Sequence, residues 1–82
     1  MYQMIVVDDE AELREGISNY FPWESLNIRV TGIFENGRTA FAYLKAHPVD
    51  IVLTDIRMPF IDGLELIEKA KSVSPATCYV IL

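Results

Sequence analysis

Three aspartates stand directly after apolar segments of the chain, at positions where their carboxylates could do chemistry. Asp8 and Asp9 follow the apolar residues 4–7, and Asp55 follows residues 51–54. If these segments are neighbouring strands of a parallel sheet, the three carboxylates converge on one edge, because such sheets bind ligands at the carboxyl ends of their strands. The alternative is purely structural: the first two aspartates could cap a helix and the third could begin a turn.

The electrostatics of such a cluster favour a bound cation. Two unit charges about 4 Å apart repel by roughly 4 kcal/mol at an effective dielectric constant near 20, so three carboxylates would raise one another's pKa values or loosen their loops. A hard divalent cation removes this repulsion, and Mg²⁺ typically binds one or two carboxylates together with water and a phosphate oxygen. A carboxylate beside such a metal can also act as a nucleophile toward phosphorus. The three aspartates together therefore predict a Mg²⁺ site.

Four short apolar segments are the candidate strands that must position these carboxylates, at residues 4–7, 28–34, 51–54 and 78–82. Most of them are continuous rather than alternating, which is typical of strands covered on both faces in a parallel sheet. The second segment alternates more and is therefore expected at an edge. Helical patterns separate the four segments, so we predict the order β-α-β-α-β-α-β and a doubly wound α/β fold with right-handed crossovers.

The helical patterns also predict which side chains face the core. The expected inward residues are Leu13, Ile17 and Tyr20 in the first helix, Phe41 and Leu44 in the second, and Leu64, Ile67 and Ala70 in the third. Asp62 is expected to cap the third helix, with Glu65 three residues later as in a capping box. Cys78 is expected to be a small core residue.

Length and composition indicate one small globular unit. The chain has 82 residues, of which 51% are hydrophobic and 23% charged, and this composition excludes disorder and low-complexity linkers. The single cysteine excludes a disulfide scaffold and a Cys-based zinc site. The net charge of −5 argues against direct contact with nucleic acid, whose phosphates attract clustered Lys and Arg. No targeting or membrane-spanning segment is evident, so we expect a cytoplasmic protein that does not bind membranes.

Two motifs resemble a known family. Residues 5–10 read IVVDDE, and residues 50–59 read DIVLTDIRMP, followed by Asp62 and Gly63. Together, at this separation, they are similar to the opening and the phosphorylation-site segment of response-regulator receiver domains. The resemblance covers all 82 residues and implies a flavodoxin-like topology with strand order 2-1-3-4. Residues 21–26 also resemble receivers that are joined to AraC-type helix-turn-helix regulators.

The resemblance implies a role for each of the three aspartates. Asp55 matches the aspartate that accepts a phosphoryl group from a histidine kinase. Asp9 and Asp55 match direct Mg²⁺ ligands, and Asp8 matches the second acidic residue, which often acts through water. The main-chain carbonyl of Arg57 falls where the family supplies another metal ligand, while its side chain has no implied chemistry. The implied function is a switch rather than an enzyme, since its only reactions are Mg²⁺-dependent phosphorylation and dephosphorylation of Asp55 itself.

The sequence departs from the family pattern at its carboxyl-terminal end. Receiver domains bind the phosphoryl oxygens with a Ser or Thr just after the fourth strand and a Lys after the fifth, and neither falls within residues 1–82. We therefore expect the N-terminal two thirds of a receiver domain, without the fifth strand and last two helices. Such a chain should be weakly phosphorylated and should act on a DNA-binding output domain elsewhere. Residues 78–82 would form an open edge strand through which the chain self-associates.

Two other functions compete with the phosphorylation switch. A phosphatase of the haloacid-dehalogenase type also uses a strand-end aspartate and Mg²⁺, but it requires an acid two residues after the nucleophile, where this chain has Arg57. Its acidic pair would also follow the nucleophile in the sequence rather than precede it. A pseudo-receiver that only binds a protein partner is the third possibility, and the presence of all three aspartates argues against it.

Overall fold

The computed structural model describes residues 1–82 as four strands, three α-helices and one 3₁₀-helix. In chain order they are β1 (Tyr2–Val7), α1 (Ala11–Tyr20), the 3₁₀-helix (Trp23–Leu26), β2 (Ile28–Phe34), α2 (Gly37–Ala46), β3 (Ile51–Thr54), α3 (Gly63–Val73) and β4 (Cys78–Ile81). The alternation of strands and helices is the predicted one, and the 3₁₀-helix after α1 is an addition to it. The helices are too short and too polar to cross a membrane.

The four strands form one parallel sheet in the order β2-β1-β3-β4, which confirms the predicted topology. β2 lies at an edge, as its alternating pattern indicated. β1 and β3 are neighbours and end level with each other, because Val7 pairs with Thr54. The residues that follow these two strands therefore emerge side by side at one edge of the sheet.

The helices cover the two faces of the sheet unequally. On one face, α2 and α3 pack against β1 and β3 to form the larger core. Its buried members are Ile5, Val7, Ala40, Leu44, Val49, Val52, Leu66 and Ala70. On the other face, a smaller buried cluster contacts Ile17 of α1 and Trp23 of the 3₁₀-helix, and its members are Met4, Val6 and Leu53. The side chains of successive residues of β1 thus point to opposite faces of the sheet, as the geometry of a strand requires.

The predicted inward face of α3 is wrong in part. The helix begins as expected, with the side chain of Asp62 accepting a hydrogen bond from a backbone N–H of its first turn. Its buried residues, however, are Gly63, Leu66 and Ala70, whereas Leu64 is 56% exposed. Gly63 lies against the backbone of the loop that precedes the helix. That contact fixes the rotation of α3, so Leu66 rather than Leu64 faces the sheet.

The predictions for α1 and β4 also need correction. α1 buries none of its residues: Ile17 is half-buried against the smaller cluster, while Leu13 and Tyr20 are exposed. Cys78, expected in the core, is exposed. Its neighbour Tyr79 packs against the larger core, and alternate residues of a strand point to opposite faces. Cys78 therefore points to the face that α2 and α3 leave uncovered.

β4 forms an open edge of the sheet. It pairs only with β3, and Val80, Ile81 and Leu82 are exposed. We expect the 82-residue chain to self-associate through this edge, because unpaired strand groups beside apolar side chains pair readily with another chain. Light scattering over a concentration series should show a mass above that of the monomer, and an Ile81→Lys variant should return toward the monomer mass. A constant monomer mass at high concentration would contradict this prediction.

Candidate functional site

The register of the sheet brings the carboxyl ends of β1 and β3 together. The backbone N–H of Asp55 donates to the carbonyl of Val7 at 2.9 Å, and that of Asp8 donates to the carbonyl of Phe34 at 3.0 Å. As a consequence, one carboxylate oxygen each from Asp8, Asp9 and Asp55 lies within 4.8 Å of the others. We call these three residues the aspartate cluster. The structure thus brings together the three side chains that the sequence singled out.

Asp8 is the buried member of the aspartate cluster, whereas Asp9 is exposed and Asp55 is half-buried. Oδ1 of Asp8 accepts a hydrogen bond from the backbone N–H of Glu10 at 2.9 Å, but its Oδ2 is buried without a hydrogen-bond partner. Burial raises the pKa of Asp8 above its ordinary value. The N–H of Glu10 opposes this shift, and the negative charges of Asp55 and Asp9 add to it.

Arg14 belongs to the same region, although the sequence analysis assigned it no role. Its Nη1 donates to the main-chain carbonyl of Asp8 at 2.7 Å, so the side chain ties α1 to the end of β1. The positive charge of Arg14 lowers the pKa of Asp8, but burial outweighs it. Because this hydrogen bond is made to a main-chain oxygen, the carboxylate of Asp8 still lacks a partner at Oδ2. The sequence feature that could have pointed to Arg14 is an arginine at the start of the helix that follows an acidic pair.

The loop between β3 and α3 holds Asp55 in a defined orientation. Oδ1 of Asp55 accepts a hydrogen bond from the backbone N–H of Ile56 at 2.8 Å. The N–H of Gly63 donates to the carbonyl of Ile56 at 2.6 Å, which closes the loop against the start of α3. Arg57 lies in this loop with an exposed side chain, and the role of its main-chain carbonyl as a metal ligand stays a prediction.

The donor set of the aspartate cluster fits a hard divalent cation. Its side chains offer only carboxylate oxygens, which Mg²⁺ prefers over nitrogen or sulfur ligands. The unpartnered Oδ2 of Asp8 is a buried acceptor for which the protein supplies no donor, and such groups are costly unless a partner compensates for them. The exposed position of Asp9 leaves one side of the cluster open to solvent. A cation could therefore bind the cluster and keep some of its water.

Comparison with known proteins identifies the family to which this chain belongs. The sequence model of the response regulator receiver domain matches residues 4–82. The chain belongs to this family. Among curated proteins, this receiver domain is 38% identical over all 82 of its residues to the "uncharacterized transcriptional regulatory protein YesN" of Bacillus subtilis. It spans only 22% of the length of YesN.

Solved structures of receiver domains share the fold. The REC domain of AraT, a response regulator from Geobacillus stearothermophilus, is 32% identical, with a TM-score of 0.91 over 98% of this chain and 62% of that one. The isolated REC domain of RcsB from Salmonella enterica serovar Typhimurium was solved in the presence of the phosphomimetic BeF3⁻. It is 25% identical, with a TM-score of 0.83 over 98% of this chain and 59% of that one. The flavodoxin-like strand order 2-1-3-4 is therefore that of a receiver domain.

Proposed function

We propose that this receiver domain is the phospho-acceptor part of a cytoplasmic two-component response regulator, in which Asp55 takes a phosphoryl group from a histidine kinase. The cofactor is Mg²⁺, with Asp9 and Asp55 as direct ligands, Asp8 acting through water, and the main-chain carbonyl of Arg57 as a further ligand. The observation that carries the proposal is the aspartate cluster, in which one carboxylate oxygen from each residue lies within 4.8 Å of the other two. Its most buried member also keeps one oxygen without a partner.

Each residue of the site has a defined part in phosphoryl transfer. Oδ1 of Asp55 already accepts the N–H of Ile56, which orients the carboxylate and leaves Oδ2 to attack phosphorus. The new O–P bond forms as the bond from phosphorus to the kinase histidine breaks, and the histidine nitrogen keeps that electron pair. When bound, Mg²⁺ neutralises charge on the phosphoryl oxygens. Asp8 and Asp9 supply the negative charge that attracts the cation, and Arg14 ties the main chain of Asp8 to α1.

The signal that follows is a local change of charge. Phosphorylation replaces the single negative charge of the Asp55 carboxylate by up to about two on the phosphoryl group, so a site that is already acidic gains about one further negative charge. Groups outside residues 1–82 must respond to this charge and pass the change to an output domain. The similarity to YesN, whose name describes a transcriptional regulatory protein, supports an output domain that regulates transcription, and the resemblance of residues 21–26 favours a DNA-binding domain of the AraC type. With a net charge of −5, the receiver segment itself makes no direct contact with nucleic acid.

Phosphorylation with a small-molecule donor tests the proposal. The complete protein that carries this chain should incorporate label from a small phosphodonor in the presence of Mg²⁺, and the label should be lost in base and on treatment with hydroxylamine, as for an acyl phosphate. An Asp55→Asn variant should incorporate none. Asp62→Asn is the matched control, since Asp62 is an exposed carboxylate of the same loop and asparagine caps a helix as well as aspartate does. This control should be labelled like the wild type.

The same experiment separates the competing functions. Label that persists in the Asp55→Asn variant would refute Asp55 as the acceptor. A complete absence of label with Mg²⁺ present would favour a pseudo-receiver that only binds a protein partner. Steady release of phosphate from many substrates would favour a phosphatase of the haloacid-dehalogenase type, although Arg57 stands where that class places its second acid.

A further inference from the structure

The loop that follows Asp55 contains a residue in an unfavourable backbone conformation. Phe60 has a φ of 69°, in the left-handed region that residues other than glycine seldom adopt. Its side chain is 67% exposed, so burial in the core does not compensate for the conformation. Strained residues of this kind persist only where surrounding contacts impose them, and they cluster at functional sites.

Two residues at the amino-terminal end of α2 contact this part of the loop. The guanidinium carbon of Arg38 lies 4.2 Å from the centre of the Phe60 ring, which is the geometry of a cation–π interaction. The preceding residue, Gly37, lies against the next residue of the loop: a Cβ at position 37 would be only 2.5 Å from the carbonyl oxygen of Ile61. Two consecutive residues of α2 therefore contact two consecutive residues of the loop.

Backbone hydrogen bonds link the part of the loop around Phe60 to the residues beside Asp55. The N–H of Ile61 donates to the carbonyl of Pro59 at 2.9 Å, and the N–H of Gly63 donates to the carbonyl of Ile56 at 2.6 Å. Phe60 lies within the span of both hydrogen bonds, which enclose residues 59–61 and 56–63, so a change in its backbone angles would disturb both. The longer of the two enclosed segments, residues 56–63, begins with the two residues that directly follow Asp55.

We propose that Arg38 is a positioning residue, which stacks on Phe60 and so holds the loop between β3 and α3 in the conformation that presents Asp55 and the Arg57 carbonyl to Mg²⁺. The effect on the metal rests on the proposed function, whereas the effect on the loop does not. Arg38 does not contact the metal or the phosphoryl group in this proposal. It acts through the ring of Phe60 and the backbone that follows.

The first test is hydrogen exchange in the metal-free chain. An Arg38→Gln variant should exchange the amide hydrogens of Ile61 and Gly63 about two- to fivefold faster than the wild type, the size expected for loss of an exposed cation–π contact. Lys45→Gln is the matched control, because Lys45 also lies on α2 and its ammonium is 5.1 Å from the centre of the Phe41 ring. This control should leave both amides unchanged, and Arg38→Lys should restore slow exchange.

The second test is a Mg²⁺ titration followed through amide chemical shifts. The Arg38→Gln variant should bind Mg²⁺ about two- to fivefold more weakly. Loss of a positive charge near an acidic site would by itself strengthen the binding of a cation, so weaker binding separates positioning from charge. In a Phe60→Ala background, the same substitution at Arg38 should no longer weaken Mg²⁺ binding, since the positioning effect needs both residues.

The outcomes distinguish this proposal from the proposed function. Unchanged exchange at Ile61 and Gly63 in the Arg38→Gln variant would overturn the positioning role. Faster exchange with unchanged Mg²⁺ affinity would show that Arg38 holds the loop but does not position the metal site, which also overturns it. A wild-type chain that binds no Mg²⁺ would instead refute the proposed metal site, while the exchange result would still stand as the test of the contact between Arg38 and Phe60.

Discussion

Replacement of Gly63 by alanine should destabilise the chain by about 2 to 3 kcal/mol, the upper range for side chains forced into closely packed positions. A Cβ at this position would lie 2.1 Å from the main-chain oxygen of Asp55 and 3.0 Å from the Cα of Ile56. Both neighbours are backbone atoms that cannot rotate away, so the start of α3 must separate from the loop. Denaturant unfolding, followed by the fluorescence of Trp23, measures the change, since this single tryptophan packs against the smaller cluster.

The same substitution at Gly16 is the matched control. Gly16 lies inside α1, and a Cβ there would meet only the ring of Tyr20, at 3.8 Å. Because alanine favours a helix interior over glycine, Gly16→Ala should stabilise the chain by up to about 1 kcal/mol. The two variants should therefore shift stability in opposite directions. A Gly63→Ala variant as stable as the wild type would show that α3 does not depend on its close approach to Asp55.

Replacement of Asp8 by asparagine should stabilise the metal-free chain by about 1 to 2 kcal/mol and weaken Mg²⁺ binding by about 10- to 100-fold. The substitution removes a buried negative charge whose Oδ2 has no hydrogen-bond partner. It also removes the repulsion from Asp55 and Asp9 that helps to raise the pKa of Asp8. An asparagine Oδ1 can still accept the N–H of Glu10, so the start of α1 should be preserved. Calorimetric titration with Mg²⁺ and denaturant unfolding measure the two effects.

Asp9→Asn is the matched control, because Asp9 belongs to the same cluster but is exposed. It should also weaken Mg²⁺ binding, yet leave the free energy of unfolding of the metal-free chain almost unchanged. A loss of stability in Asp8→Asn would contradict the prediction. So would Mg²⁺ binding by that variant with wild-type affinity.

The raised pKa of Asp8 gives the metal-free chain a specific dependence on pH. The pKa of Asp8 is higher in the folded chain than in the unfolded chain, where the pKa has its ordinary value of 3.8. Between those two pKa values the folded state binds more protons, so this group makes the free energy of unfolding increase as the pH falls through that window. The stabilising contribution of Asp8 is fully present below pH 3.8. It should be absent from the Asp8→Asn variant. Unfolding curves of both proteins at a series of pH values would show this difference.

The order of the elements and the residues of the aspartate cluster could be predicted from the sequence. Both depend on local patterns, since continuous apolar segments indicate buried parallel strands and the residues after such strands meet at one edge of the sheet. The edge position of β2 and the cap provided by Asp62 were likewise predictable, because alternation and capping are also local. The family motifs assign the acceptor role to Asp55, and this assignment stays a prediction.

Only the folded chain decided which side chains are buried and which distant groups meet. Helical spacing allows either Leu64 or Leu66 to face the sheet, and the approach of Gly63 to the loop backbone selects Leu66. The cation–π pair of Arg38 and Phe60 joins residues far apart in the chain, as does the close packing of α2 against the loop. No local pattern encodes such contacts, because they arise only when separate elements have already docked. The register of the sheet brings the aspartate cluster together, whereas these contacts pack α2 and α3 against the loop that follows Asp55.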